Sequence, residues 1–308
     1  MKLSSARVLS CVLGLFCGLV GPGAARGEPP HPHEPEYGPD IDFPPEYEPA
    51  PRERRALPPV VHIERRVVPS EGGMLQIPGG EFSMGYDGPL PHEPNERPAH
   101  VVRVATFWID RTEVTVGDMR ACMDRGDCTV RLGAGPLCTL GRLEPKVPVN
   151  CVPWHAADAY CRAVGKRLPT EAEWELAAGA GQKARFPWGS TPPHCALAVT
   201  LMSNYSGGSC SPHGPTAIGA HPGGASPFGV EDMAGNVEEW VADWYADRYE
   251  VQPSRQTVPS PAGPAFGVAH VLRGGGWMSR PRETRVTARS WGSLNEAGPN
   301  VGFRCARD

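Results

Sequence analysis

The stretch WHAADAYCRAVGKRLPTEAEWELAAG, residues 154–179, decides the fold, because it reads as two helices joined by a stop. In the first, Ala157, Tyr160, Cys161 and Val164 recur at i, i+3, i+4 and i+7, which places them on one face of a 3.6-residue period. Gly165 ends that helix and Pro169 blocks its continuation. The second opens on Thr170 as N-cap with Glu173 three residues on, a reciprocal capping box. Trp174 then faces the core about one turn in.

Upstream, Thr115 and Asp118 form a second box, followed by Met119, Cys122 and Met123 on one expected face. The residues GGMLQIPGGEFSMG (72–85) read as strand, turn, strand around Pro78-Gly79-Gly80. HVVRVATFWIDRTEVT (100–115) is rich in β-branched residues and reads as one further strand. Downstream, Gly, Pro and Ser dominate residues 180–230, and so much irregular chain needs fastening by disulfides or bound ions. DMAGNVEEWVADWY (232–245) brings another short element, and VLRGGGW (271–277) and VGFRCA (301–306) read as the last strands.

The N-terminus differs in kind. Lys2 and Arg7 precede the apolar run 8–20, and GPGAARG supplies small residues for cleavage after Ala25, so residues 1–25 read as an export signal. An uncleaved anchor is the other reading of that run. Residues 26–72 are dense in proline and charge, cannot bury enough apolar surface to offset ordering entropy, and read as a disordered linker. Folded structure is expected over residues 73–308, where all eight tryptophans lie. The net charge of −4 argues against nucleic acid as a partner, which needs a basic face. No membrane span is expected once the signal is removed. Of ten cysteines, Cys11 and Cys17 leave with the signal. The remaining eight, an even count in an exported chain without C-x2-C spacing, point to disulfides rather than zinc.

IPGGEFSMG, DRTEVTVGDM, AYCRAVGKRLPTEAEWELAA, FPWG, FGVEDMAGNVEEW, VLRGGGW and NVGFRCA occur in this order. As an ordered set they resemble the formylglycine-generating enzymes, or sulfatase-modifying factors, over about residues 73–308. The resemblance implies a single α/β (α+β) domain related to the C-type lectin fold, with little regular secondary structure. It also implies an oxidase that converts a peptide cysteine to formylglycine with copper and oxygen. Relatives include iron-dependent sulfoxide synthases and domains kept for ligand binding.

The resemblance also assigns roles, and here the chain departs from it. Family oxidases carry a Cys-x4-Cys pair after the Gly-Gly-x-aromatic turn, and these positions fall at Ser279 and near Thr284. Thiolates suit Cu(I); neutral hydroxyls do not, so copper is not expected. The histidines His92, His100, His155, His194, His213, His221 and His270 show no i, i+3 or i+4 pair, yet sites built across loops leave no spacing, so iron stays open. Asp232, Gly235, Val237 and Glu239 match a structural calcium site, with Glu238 standing where the family has Trp. Asn204 and Tyr205 match part of a second, whose Asp position falls at Cys210. A Cys195–Cys210 disulfide would hold that loop instead, a closure of about 3 kcal/mol. Cys161 and Cys305 match the family's bridge from helix to last strand, which leaves three connectivities for Cys122, Cys128, Cys138 and Cys151.

In RGGGWMSRPRETRVTARSW (273–291), Arg280, Arg282, Arg285 and Arg289 with Trp277 and Trp291 are candidates to line a groove for an anionic or peptide ligand. The bland alternative is solvated arginines on a strand face. Two functions follow: an exported ligand- or peptide-binding module without copper chemistry, or a divergent metal-dependent oxidoreductase acting on a peptide cysteine or small thiol. Neither a G-x-S-x-G elbow nor an H-E-x-x-H pair supports a hydrolase.

Overall fold

The computed structural model describes residues 68–88, 93–201, 209–249, 258–259 and 263–308. The export signal, the linker up to residue 67, His92, Asn204 and Tyr205 lie outside the described residues. No helix among the described residues is long and apolar enough to cross a membrane.

Three helices carry the helical signals. Helix α1 (Val116–Asp124) is capped by Thr115, whose hydroxyl accepts from the Asp118 amide while Asp118 accepts from the Thr115 amide. Met119 and Cys122 are buried, but Met123 is 38% exposed, so it lies off the packed face on which the sequence reading put it. Helix α2 (Trp154–Ala163) buries Ala157, Tyr160 and Cys161 and stops at Gly165, whose positive φ no β-branched residue would tolerate. Helix α3 (Glu171–Gly179) opens on the Thr170–Glu173 box and is buried on all sides, Trp174 completely.

Among the described residues, eleven short strands form three sheets. The first runs β1 (Ser70–Glu71), β2 (Met74–Ile77), β5 (Phe107–Asp110) and β11 (Ala306–Arg307), all antiparallel. The second runs β3 (Gly80–Met84), β4 (His100–Val104) and β7 (Val258–Pro259). The third orders β10 (Val301–Phe303), β6 (Glu238–Trp244), β8 (Ala269–Arg273) and β9 (Arg289–Ser293), with β10 parallel to β6. The sequence reading missed β9.

The strands read on either side of Pro78-Gly79 are present, but β2 and β3 do not pair with each other. Strand β2 pairs with β5 and β3 with β4, in registers Ile77↔Phe107 and Gly80↔Val104. The four strands are one long antiparallel ribbon bent at a corner, so residues 100–115 hold two strands rather than one. The Gly79 amide donates to Thr106 Oγ1 at 3.1 Å, and a Cβ on Gly79 would lie 2.4 Å from the Thr106 nitrogen. Only a residue without a side chain lets the two corners touch.

Two apolar clusters fill the domain. One packs Ile77, Phe107, Ile109 and Trp174; the other packs Met119, Tyr160, Trp240 and Phe303. Four disulfides fasten the loops: Cys122–Cys128, Cys138–Cys151, Cys161–Cys305 and Cys195–Cys210. The bond from Cys161 ties α2 to the chain between β10 and β11.

Candidate functional site

The turn after β8 is built by contacts that the sequence does not show. Gly275 sits at φ +58°, and a Cβ there would lie 3.0 Å from Ser279 Cβ and 3.0 Å from Thr284 Cγ2. Thus Ser279 and Thr284, five residues apart, meet over one glycine. Ser279 Oγ accepts from the Gly276 amide at 3.0 Å and from Asn300 Nδ2 at 3.1 Å. Thr284, fully buried, donates its hydroxyl to the Pro281 carbonyl at 3.0 Å. Trp277 packs behind the turn, its amide on the Asn236 carbonyl and its indole N–H on the Pro299 carbonyl, both at 2.9 Å. Every cysteine among the described residues is in a disulfide, so no thiol stands beside the two hydroxyls.

A cavity of about 130 Å³ opens next to Ser279. Arg282, Arg285 and Arg289 line it, whereas Trp277, Arg280 and Trp291 do not, so the expected groove residues divide. The fate of the arginines corrects the anion-binding reading. Arg285 forms a two-pronged pair with the buried Glu96, at 2.7 and 2.5 Å. Arg289 does the same with Glu171, at 2.6 and 3.0 Å, and lies 4.1 Å above the Tyr249 ring. Both guanidiniums are neutralised in place, and the Arg285 pair holds Glu96 below the usual carboxylate range against the opposing effect of its burial. Arg280 is exposed, and Trp291 is 55% exposed on the edge strand β9.

The same cavity carries carboxylates from Glu93, Glu238 and Glu283. Burial pushes Glu238 up to about 7; Glu283 and Glu296 add to the shift, while Ser290 and Asn300 oppose it.

A second cluster lies at the start of β6. Asp232, at φ +58°, accepts from the Gly219 amide at 2.9 Å, and its burial raises its pKa. Glu239 is committed elsewhere: Arg304 donates to both its oxygens at 2.7 Å, and the Trp174 indole N–H to one of them at 2.9 Å. The oxygen left over belongs to Glu113, which the sequence reading missed. Its Oε1 accepts from Asn236 Nδ2 at 3.1 Å, while its Oε2 is buried without a partner. Burial, then the nearby Asp232, pushes Glu113 well above the usual range. A buried orphan oxygen beside a second carboxylate is the condition a hard cation relieves. No three His, Cys, Asp or Glu side chains converge as a metal site among the described residues, so calcium here would draw most of its oxygens from carbonyls such as those of Gly235 and Val237.

The histidines are scattered. His270 is sandwiched between Trp154 and Trp244, with centroids 3.8 and 3.9 Å away, and its Nδ1 donates to the Asp243 carbonyl at 3.0 Å in the tautomer protonated there. His100 packs on Tyr249 at 4.6 Å and bonds the Pro98 carbonyl. His221 Nε2 lies 3.5 Å from Thr216 Oγ1.

Comparisons with known proteins agree with this architecture. A family model described as the sulfatase-modifying factor enzyme 1-like domain matches residues 60–308. The chain is 33% identical over 288 residues to the formylglycine-generating enzyme of Thermomonospora curvata, covering 77% of this chain and 93% of that one. It is 35% identical over 254 residues to the hercynine oxygenase of Mycolicibacterium smegmatis, covering 71% and 58%. It spans 38% and 58% of the length of the first two curated relatives it matches. The solved structure of PvdO from Pseudomonas aeruginosa superposes with a TM-score of 0.65 at 29% identity, covering 76% of this chain and 94% of that one. With its bent ribbon, its glycine turn and its three small sheets, the chain belongs to the sulfatase-modifying factor enzyme 1-like family.

Proposed function

We propose that this family member is an exported binding module for a peptide or small-molecule ligand, without copper-dependent formylglycine formation. The observation that carries the reading is the meeting of Ser279 and Thr284 over Gly275, where the resembled oxidases hold two thiolates. Hydroxyls at neutral pH are hard and protonated, and every described cysteine is already bonded to another. Four disulfides support an oxidising destination, and the basic-then-apolar start of the chain supports export. The test is incubation of the purified full chain with copper, oxygen and a Cys-x-Pro-x-Arg peptide, read by mass. Unchanged peptide is the expected result; formylglycine in the product would overturn the reading.

A second reading, a divergent metal-dependent oxidoreductase acting on a peptide cysteine or small thiol, draws on the 35% identity to a hercynine oxygenase. Iron that survives dialysis and supports oxygen uptake with a thiol would favour it.

Calcium serves structure in both readings. Asp232 and Glu113 would supply carboxylate oxygens, Gly235 and Val237 carbonyls, and Glu239 would buttress the site through Arg304. The ion would neutralise two crowded carboxylates and tie the start of β6 to the chain before α1. Chelation should lower the Tm, and calcium at about 100 times its Kd should restore about 2.7 kcal/mol of stability. The Glu113→Gln variant should respond less to both. A Tm indifferent to chelator and to calcium would remove the ion from the account.

A further inference from the structure

The cavity beside Ser279 has a charge balance opposite to the one its arginines suggest. Arg285 and Arg289 face their own carboxylates, Glu96 and Glu171, in two-pronged pairs. Glu238 has no such partner: Asn300 Nδ2 stands 3.5 Å from its Oε2, Ser290 lines the same cavity, and no guanidinium or ammonium pairs with it among the described residues. Glu283 adds a second carboxylate at the rim, one oxygen on the Arg280 amide at 2.8 Å and the other 3.6 Å from the exposed Arg282. Glu93 adds a third. The space of about 130 Å³ is that of a few water molecules, enough for an ammonium or guanidinium head and too small for a drug-sized ligand.

Glu238 is half-buried, and a partly desolvated carboxylate without a cation carries a cost that a cation entering the cavity offsets. We propose that this cavity binds the cationic head of a small amine or of a basic side chain, with Glu238 as its counter-ion. The assignment rests on the reading of the chain as a binding module and names the ligand class of that module. Ser290 lines the same space and offers a hydroxyl oxygen to a remaining N–H group of the head, whereas Ser279 Oγ already accepts from the Gly276 amide and Asn300 Nδ2.

The experiment is calorimetric titration of the full chain at pH 8 with methylguanidinium, with n-butylammonium, with a short peptide carrying one internal arginine, and with acetate. The cations should bind and acetate should not. Glu238→Gln, nearly the same shape, should weaken cation binding roughly 30-fold or more, the lower end for truncating one member of a close charge pair. Glu144→Gln, which removes a charge from an exposed site elsewhere, should leave it unchanged. A parental near-ultraviolet circular dichroism spectrum and a Tm no lower than the parent's keep a folding defect in Glu238→Gln from imitating the result. Equal affinity of free cation and peptide identifies a small amine as the ligand; tighter peptide binding identifies a basic side chain. Cations that bind Glu238→Gln as well as the parent, acetate that binds in their place, or no binding by any probe each overturn the proposal. Formylglycine formation would sink the binding-module reading instead and leave the cation titration to be judged separately.

Discussion

At the scale of single residues, the sequence disclosed identities and hid partners. The arginines of residues 273–291 were visible as a cluster, but their meaning depended on acids far along the chain: Glu96 lies 189 residues from Arg285, and Glu171 lies 118 from Arg289. Ion pairing at such separation leaves no local spacing to read, so a groove for anions and a buried ion-pair layer look alike in sequence. Glu113 escaped for the same reason; it sits in a strand-like run, and only the fold brings it to Asp232. Asp243 gives a test at this scale. It is buried, its Oδ2 accepts from the Glu171 amide at 2.7 Å, and burial, then Glu171, pushes it up to about 8. An acid whose folded pKa is raised stabilises the fold while it stays protonated in both states. That contribution is complete below about pH 4 and is lost as pH rises to about 8. Asp243→Asn should therefore match the parent near pH 4 and exceed it near pH 8 by on the order of a few kcal/mol. Urea unfolding at both pH values checks this, and a constant difference would show that Asp243 is not the titrating group.

At the scale of elements, what was legible is what is local. Both capping boxes were read from three-residue spacings and both exist, because a cap is made by neighbours in sequence. Sheet membership was not legible: β2 and β3 follow one another yet join different sheets, and that depends on a contact between Gly79 and Thr106, 27 residues apart. Strand β9 was missed because its run of Arg, Ser, Trp, Gly and Ser shows no clean alternation; its partner β8 supplies the order. Helix α3 tests the value of a local signal inside a buried element. The Thr170 hydroxyl satisfies the Glu173 amide at 3.2 Å, and the Glu173 carboxylate serves both the Thr170 amide and Arg167. Thr170→Ala removes one of these bonds and should cost about 1 kcal/mol, while Thr170→Ser should cost much less. Equal losses in thermal unfolding of the two variants would point to the Thr methyl and not to the cap.

At the scale of the whole molecule, the irregular chain must be held by cross-links more than by regular hydrogen-bond ladders. The four disulfides differ widely in the loop each closes: 6, 13, 15 and 144 residues of separation. The long one joins α2 to the end of the chain and so closes a loop through most of the domain. If disulfides act by restricting the unfolded chain, stabilisation grows with the logarithm of loop length. The Cys161–Cys305 bond should then contribute about 5 kcal/mol and Cys122–Cys128 about 2 kcal/mol. Paired serine variants separate these values without leaving a lone thiol to exchange. In urea, Cys161→Ser with Cys305→Ser should lose roughly twice as much stability as Cys122→Ser with Cys128→Ser. The ligand cavity supplies an internal check, since Gly274 follows directly on β8 and the cysteine at 305 lies two residues past β10, both in the sheet that carries Glu238. Cation binding should weaken in the first pair of variants and persist in the second, because only the first releases the strand beside Glu238. Equal losses of stability in the two pairs would show that native packing, and not unfolded-chain entropy, sets the worth of the long bridge.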